Sequence, residues 1–200
     1  SRMTPGDVKT TEDARAIVRE RGLSHVKVGV HDIDGILRGK YLAAEKFFKA
    51  LDDGFGFCDV VLGWDSNDQL YDNTRYTGWH TAYPDAKVRL LPDTAREVPS
   101  EPGMLLFLGE FAEAAEAVCP RGILRRVLRR ADEMGFEVRF GFEYEFFVFD
   151  ETPHSLREKR YRDLKPLTPG FFGYSMLRSS VHAEFHRGLI DFCEAMDLGL

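Results

Sequence analysis

Two glutamates, Glu143 and Glu145, stand one residue apart in the run Gly141-Phe142-Glu143-Tyr144-Glu145-Phe146-Phe147-Val148-Phe149. Aromatic and β-branched residues dominate positions 136–149, which predicts a strand there. Side chains alternate along a strand, so both carboxylates point to one side, about 7 Å apart, while Phe142, Tyr144 and Phe146 point to the other. Two carboxylates on a rigid strand suit a hard divalent cation, which takes oxygen ligands and keeps open positions for phosphate. The alternative is the wet face of a half-exposed strand. The aromatic density around the pair makes simple solvent exposure the less natural setting.

Other constellations carry less chemistry. His182-Ala183-Glu184-Phe185-His186 places two histidines at i, i+4 on one helix face, as a zinc-protease helix does. That motif needs its glutamate directly after the first histidine, and here it comes one residue later, so helix-flank histidines are the better reading. Arg125, Arg126, Arg129 and Arg130 form a basic helix edge, read as a solvated face or subunit contact rather than a nucleic-acid surface. Asp32-x-Asp34-Gly35 lacks the later ligands of a calcium loop and reads as a hairpin turn. There is no phosphate-loop or dinucleotide fingerprint.

Composition narrows the class. The 200 residues are 44% hydrophobic, 30% charged and 12% aromatic, which is ordinary for a globular protein and argues against disorder. A net charge of −6 speaks against a binder of nucleic-acid backbone. The three cysteines, Cys58, Cys119 and Cys193, are widely spaced and form no CxxC pair, so thiols in a reducing compartment are expected. The longest apolar run, Met104–Leu108, is too short to cross a bilayer, and residues 1–13 lack an apolar signal core. A cytoplasmic location, with no membrane partner, is the expectation.

These residues need elements to hold them. A helix is predicted from a Thr11 cap, with Ala14, Ile17 and Val18 as its apolar stripe and Gly22 past its end. Val26–Val30 alternates as a strand, and Asp34-Gly35 turns it into a second run, Ile36–Leu42. Glu45–Leu51 reads as a helix ended by Gly54, Phe57–Trp64 as a strand, and 65–68 as a turn. Val88–Leu91 is a short strand closed by Pro92-Asp93, and Met104–Leu108 is another. An Ala/Glu-rich segment, 113–116, marks a domain boundary. Beyond it a helix runs from Pro120 to about Met134, with Ile123, Leu124, Val127, Leu128 and Ala131 apolar and Gly135 as its stop. Positions 156–163 read as a lid-like loop continued by Pro166, Pro169 and Gly170. A last helix, about 178–197, carries Val181, Phe185, Leu189, Phe192 and Met196 on one face.

Gly-x-Glu-x-Glu-Phe-Phe, preceded by Pro120-Arg121 and an amphipathic helix, resembles the opening of the glutamine synthetase catalytic domain. The likeness extends back through Met104–Leu108 and Val88–Pro92 to the hairpin Val26–Leu42, an order similar to that family's N-terminal β-grasp domain. Forward, it runs through Gly173-Tyr174 into the last helix. The implied fold is α+β, with a β-grasp-like domain over 1–112. Residues 113–200 would be the first helix–strand–helix of a glutamine synthetase-type catalytic domain, which is incomplete.

The resemblance implies roles. Glu145 would hold the metal that organises glutamate and the incoming nucleophile, and Glu143 a second metal against the nucleotide phosphates. Mg²⁺ or Mn²⁺ is the implied metal and ATP the co-substrate. ATP phosphorylates the γ-carboxylate of L-glutamate, then ammonia or an amine displaces phosphate to form the amide. Metals fit because they neutralise the transferring phosphoryl and orient both partners. The implied assembly is a homo-oligomeric ring in which one subunit's N-terminal domain closes its neighbour's active site, with Phe55, Phe57, Trp64 and Trp79 as candidate contacts. The remaining catalytic residues and ligands are expected after Leu200, so residues 1–200 alone are expected to be inactive.

One departure bears on the nucleophile. The glutamine-forming enzymes carry an Asp-Gly-Ser-Ser loop followed by a tryptophan, whose aspartate helps bind ammonium. Here the segment is Phe57-Cys58-Asp59-Val60-Val61-Leu62-Gly63-Trp64-Asp65. A small amine or polyamine is therefore expected in preference to ammonia. The alternative function is a non-catalytic scaffold or interaction protein that kept the fold.

Overall fold

Helix formation begins where Thr10 can satisfy the first free amides. In the computed structural model, which describes residues 2–170 and 172–200, Thr10 Oγ1 accepts from the Asp13 amide at 3.2 Å and the Asp13 carboxylate accepts from the Thr10 amide at 2.9 Å. This reciprocal cap starts α1 (Thr11–Glu20) one residue before the Thr11 cap that sequence suggested, because the acidic partner lies three residues after Thr10. Ala14, Ile17 and Val18 are buried as expected.

By contact, residues 1–138 with 193–200 form one compact unit and 139–192 another. In the first unit, β1 (His25–His31) and β2 (Leu37–Ala43) form the expected hairpin, registered from His25↔Ala43 to His31↔Leu37. Its loop is organised by a fully buried carboxylate. Asp32 Oδ1 accepts from the amides of Asp34 (2.9 Å) and Ile36 (2.8 Å), and Oδ2 accepts from Arg38 Nε (2.9 Å). Arg38 also pairs with Asp68 at 2.7 Å and lies 4.9 Å from the Trp64 ring centroid. Gly35, at φ +81°, makes the turn that a side chain would strain.

α2 (Ala44–Asp53) lays Phe47, Phe48 and Ala50 against the sheet, and the Phe47 ring sits 4.7 Å from that of Phe107. β3 (Phe55–Cys58) is shorter than the strand expected over 57–64. After Cys58 the chain coils into a 3₁₀ turn, Asp59–Leu62, because the Asp59 amide and side chain are drawn inward to Pro84 and Thr77. β4 (Asp85–Glu97) instead runs well past Leu91, where Pro92-Asp93 was expected to end it. A bulge between Leu91 and Arg96 absorbs the proline, which lacks a ladder amide. Thr94 repairs the ladder: its hydroxyl donates to Leu91 O (2.6 Å) and accepts from the Leu108 amide (2.8 Å).

β5 (Leu105–Phe111) completes a mixed sheet in the order β2-β1-β5-β4-β3, with β1 and β5 parallel and the other pairs antiparallel. Buried Val26, Val28, Leu105 and Phe107 face the helices in one core cluster; Val30, Val88 and Phe111 join Val61 and Leu62 in a second. Of the expected surface aromatics, Phe55, Phe57 and Trp64 are half-buried against this second cluster, and only Trp79 stands out, 78% exposed.

α3 (Pro120–Glu133) ends as predicted, with the Phe136 amide reaching back to Ala131 O (2.9 Å) across Gly135. Its apolar stripe, however, is uncovered: Ile123, Leu124, Val127 and Leu128 are all exposed. The helix is held to the sheet by charge. Glu110, only 2% exposed on β5, is clasped by Arg89 and Arg125, with Arg121 Nε 3.5 Å from its second oxygen. Arg125 also reaches Glu116 (3.1 Å), and Arg126 donates to the carbonyls of Glu116 and Ala117. Part of the basic helix edge is thus an internal tether. Burial by itself would raise the Glu110 carboxyl, but hydrogen bonds and charge from Arg89 and Arg125 outweigh it and hold the group below the ordinary range.

In the second unit, the strand expected over 136–149 does not form. The rings of Phe140, Phe142 and Tyr144 follow one another at 6.4 Å, a period-two spacing, yet among the described residues the pairing is a single bridge, Phe149↔Pro166. A strand is stable only with partners, and an alternating pattern supplies none by itself. The helix–strand–helix expected for residues 113–200 is corrected accordingly. The expected lid-like loop over 156–163 contains a short helix, α4 (Pro153–Glu158), capped by Thr152. Glu151 clasps this segment: Lys159 Nζ (2.5 Å), the Ser155 hydroxyl (2.5 Å) and the Lys165 amide (2.7 Å) all donate to it. The last helix is broken into α5 (Met176–Val181) and α6 (Ala183–Ala195) at His182, whose ψ of 39° interrupts the spiral.

Two outcomes follow. Asp32→Ala strips Arg38 and two loop amides of a buried acceptor and should cost about 3 kcal/mol, read by urea unfolding; a change within 0.5 kcal/mol, roughly the surface-substitution range, would contradict this role. Glu151 is drawn down from 4.5 to about 2 by the hydrogen bond from Lys159 first, then those from Ser155 and Lys165. Because the folded value is the lower one, the clasp's contribution is full above 4.5 and is lost as pH falls toward 2. NMR titration of the Lys165 amide should show this loss, and Glu151→Gln should abolish the transition.

Candidate functional site

Glu143 and Glu145 lie on the exposed aromatic segment of the second unit, and neither is ion-paired among the described residues. Rings at 140, 142 and 144 keep the period-two order, which places the two glutamates on the alternate positions. Among the described residues, no group of three histidine, cysteine, aspartate or glutamate side chains converges as a metal site. The pair thus offers hard oxygen donors of the right chemistry, but only two of them.

Immediately after the pair, a cavity of about 340 Å³ opens beside Phe146 and Phe147, reaching Phe172, Tyr174, Arg178 and His182. Its floor is set by the return of the chain: the Leu167 amide donates to Val148 O (2.9 Å) and the Asp150 amide to Lys165 O (2.8 Å). Arg178 caps one side, donating to Pro169 O (2.7 Å) with its guanidinium 4.0 Å from the Phe172 ring centroid. His182 and His186 border this cavity, but the break leaves His182 between α5 and α6 and His186 on α6, so the single helix face expected for the pair does not form.

The segment considered for the nucleophile lies in the first unit and is built for packing. Asp59 is 3% exposed, and its carboxylate accepts from the Thr77 hydroxyl, itself fully buried. The Asp59 amide donates to Pro84 O (3.0 Å). This aspartate is therefore consumed internally and presents no free carboxylate. Trp64 stacks under Arg38 and pairs with Leu70 across the 65–68 turn, where Asp65 Oδ1 accepts from the amides of Asn67 and Gln69.

Three roles were not visible in sequence: Asp59 as a buried acceptor, Glu110 as the anchor of α3, and Glu151 as the clasp of the 150–166 loop. Only Glu110 left a trace, as an acid within an otherwise apolar strand, Leu105–Phe111.

Comparison with known proteins identifies relatives of this chain. A family model described as glutamine synthetase, catalytic domain, matches residues 117–199. Type-1 glutamine synthetase 2 of Dictyostelium discoideum is 43% identical over 169 residues, 83% of this chain and 32% of that protein. Glutamate–isopropylamine ligase of a Pseudomonas species is 29% identical over 184 residues, 89% of this chain and 40% of that protein. Gamma-glutamylethanolamide synthetase GlnA4 of Streptomyces coelicolor is 31% identical over 170 residues, 83% of this chain and 37% of that protein. The chain thus spans between 32% and 40% of the length of these relatives. A ligand-free structure of GmaS superposes with a TM-score of 0.52 over 88% of this chain and 39% of that one, at 17% identity, a likeness of fold alone. The mixed α+β first unit, the Glu-x-Glu-Phe-Phe run and these matches together make the chain a member of the glutamine synthetase family.

Proposed function

We propose that the protein containing this chain is an ATP-dependent ligase that joins the γ-carboxylate of L-glutamate to a small amine or polyamine, in preference to ammonia, through a γ-glutamyl phosphate. The observation that carries the ligase reading is 43% identity to a glutamine synthetase across 83% of the chain, over a sequence that includes the glutamate pair. The amine preference rests on Asp59, whose carboxylate is buried against Thr77 and unavailable to an ammonium ion. One relative named for the amine isopropylamine and one named for the product gamma-glutamylethanolamide support the same preference.

In this reading residues 1–112 are a β-grasp-like domain and 113–200 the opening of the catalytic domain, working in a homo-oligomeric ring in the cytoplasm. No helix among the described residues is long and apolar enough to span a membrane. Glu145 and Glu143 would hold Mg²⁺ or Mn²⁺, which supplies charge neutralisation to the phosphoryl group when bound. The carboxylates themselves contribute fixed negative charge on alternate positions of one segment. Phe142 and Tyr144 occupy the neighbouring positions and are themselves exposed. With two donors among the described residues, residues 1–200 by themselves should lack ligase activity.

Two measurements test this. In the full-length protein, Glu143→Gln and Glu145→Gln should each lower kcat/KM at least about a hundredfold with folding unchanged, since an amide keeps the shape and loses the charge. Phosphate release within a few-fold of wild type in both variants would remove the pair from the site. In an amine screen with glutamate and ATP, at least one alkylamine or polyamine should exceed ammonia in kcat/KM. Ammonia outrunning every amine would reverse the preference.

A further inference from the structure

The two edge strands of the first unit's sheet approach one another. Lys40 on β2 donates from Nζ to Gly56 O on β3 at 3.0 Å, and the same ammonium lies 5.2 Å and 5.1 Å from the ring centroids of Phe55 and Phe57. Between these edges and α2 is a groove of about 250 Å³. Its floor is Leu42, Ala50 and the bare backbone of Gly54 and Gly56; its walls are Lys40, Lys46 and Lys49. Gly54 must stay bare, since at φ +73° a Cβ would lie 2.5 Å from Val88 O.

Charge makes this groove unusual within the chain. The sequence carries six more acids than bases, and cations elsewhere on the sheet are matched: Lys27 with Glu101, Arg38 with Asp32 and Asp68, Lys87 with Glu113, Arg89 with Glu110. Among the described residues, no carboxylate is ion-paired with Lys40, Lys46 or Lys49. The nearest acid on the facing strand, Asp85, would meet a Cβ added at Gly56 and is not ion-paired with these lysines. Lysine side chains from β2 and α2 thus line one small space, and an anion held there would relieve their mutual repulsion. Lys40 is already held in place by its carbonyl and its two rings, so part of the ordering cost of binding is met in advance.

We propose that this groove binds a small phosphate-bearing anion. Ammonium groups are compact, rotatable point charges that can each turn a donor toward a different oxygen of a tetrahedral phosphate. A volume near 250 Å³ falls below the usual size of drug-like pockets and fits inorganic phosphate, pyrophosphate or a short phosphomonoester, not a polymer. This proposal goes beyond the ligase reading, because none of its residues belongs to the Glu143–Glu145 segment.

Calorimetric titration of the protein with inorganic phosphate and with pyrophosphate, at low salt and without added metal, tests it. One-site saturable binding is expected, tighter for pyrophosphate and weakened about tenfold or more by Lys46→Gln with Lys49→Gln. Both lysines are exposed, so unchanged melting of the unliganded double variant is the accompanying control. Lys9→Gln, an exposed lysine away from the groove, should leave binding as it is. Non-saturable heats, or an equal loss in Lys9→Gln, would show general screening and overturn the proposal. Unaltered affinity in the double variant would place any phosphate elsewhere and overturn it equally.

Discussion

A single buried carboxylate ties the α3 helix to the sheet. Glu110 sits on the central strand β5, next to β1 and β4, and gathers arginines from β4 and α3 around it. Removing water from a carboxylate is costly, and the cost is offset only when charge and hydrogen bonds surround it fully. Once Glu110 occupies that place, Arg89, Arg121 and Arg125 have little freedom, and the first turns of α3 must lie where the guanidinium groups can reach. Apolar packing does not do this work, since the helix's apolar stripe is exposed. The orientation of α3 is thus electrostatic in origin, whereas α1 and α2 are placed by hydrophobic burial.

Sequence pattern was a good guide wherever one element carries its own reason to form. The stripe Ala14–Ile17–Val18, the Asp34-Gly35 hairpin and Gly135 after α3 are local signals, and the chain obeys them. It was a poor guide where distant residues decide. Phe57–Trp64 has the composition of a strand, but Thr77 and Pro84 pull Asp59 inward and coil the second half. Pro92 looked like a terminator, and Thr94's hydroxyl let β4 pass it. The run 136–149 has the alternation of a strand without paired neighbours, so composition and structure part company there.

The candidate site shows the same division. Glu143 and Glu145 were legible because their spacing is a one-dimensional fact with a direct chemical meaning. Their environment was not, because it depends on which segments return to them: Leu167 to Val148, Lys165 to Asp150, and Glu151 to Lys159. Asp59 is the instructive case. The sequence segment around it departs from the family's ammonium-binding loop, and in the fold its carboxylate is spent on a buried hydroxyl. Burial makes it a brace.

The approach of β2 to β3 has a consequence for how copies of this chain can stick together. Open sheets invite runaway strand addition, since each border offers unpaired amides and carbonyls to the next molecule. Here one border carbonyl, Gly56 O, is already taken by Lys40 from the opposite border, and three lysines stand beside the seam. A foreign strand entering there would have to displace a hydrogen bond and bury ammonium groups at once. At that carbonyl the sheet is therefore guarded against templated strand addition.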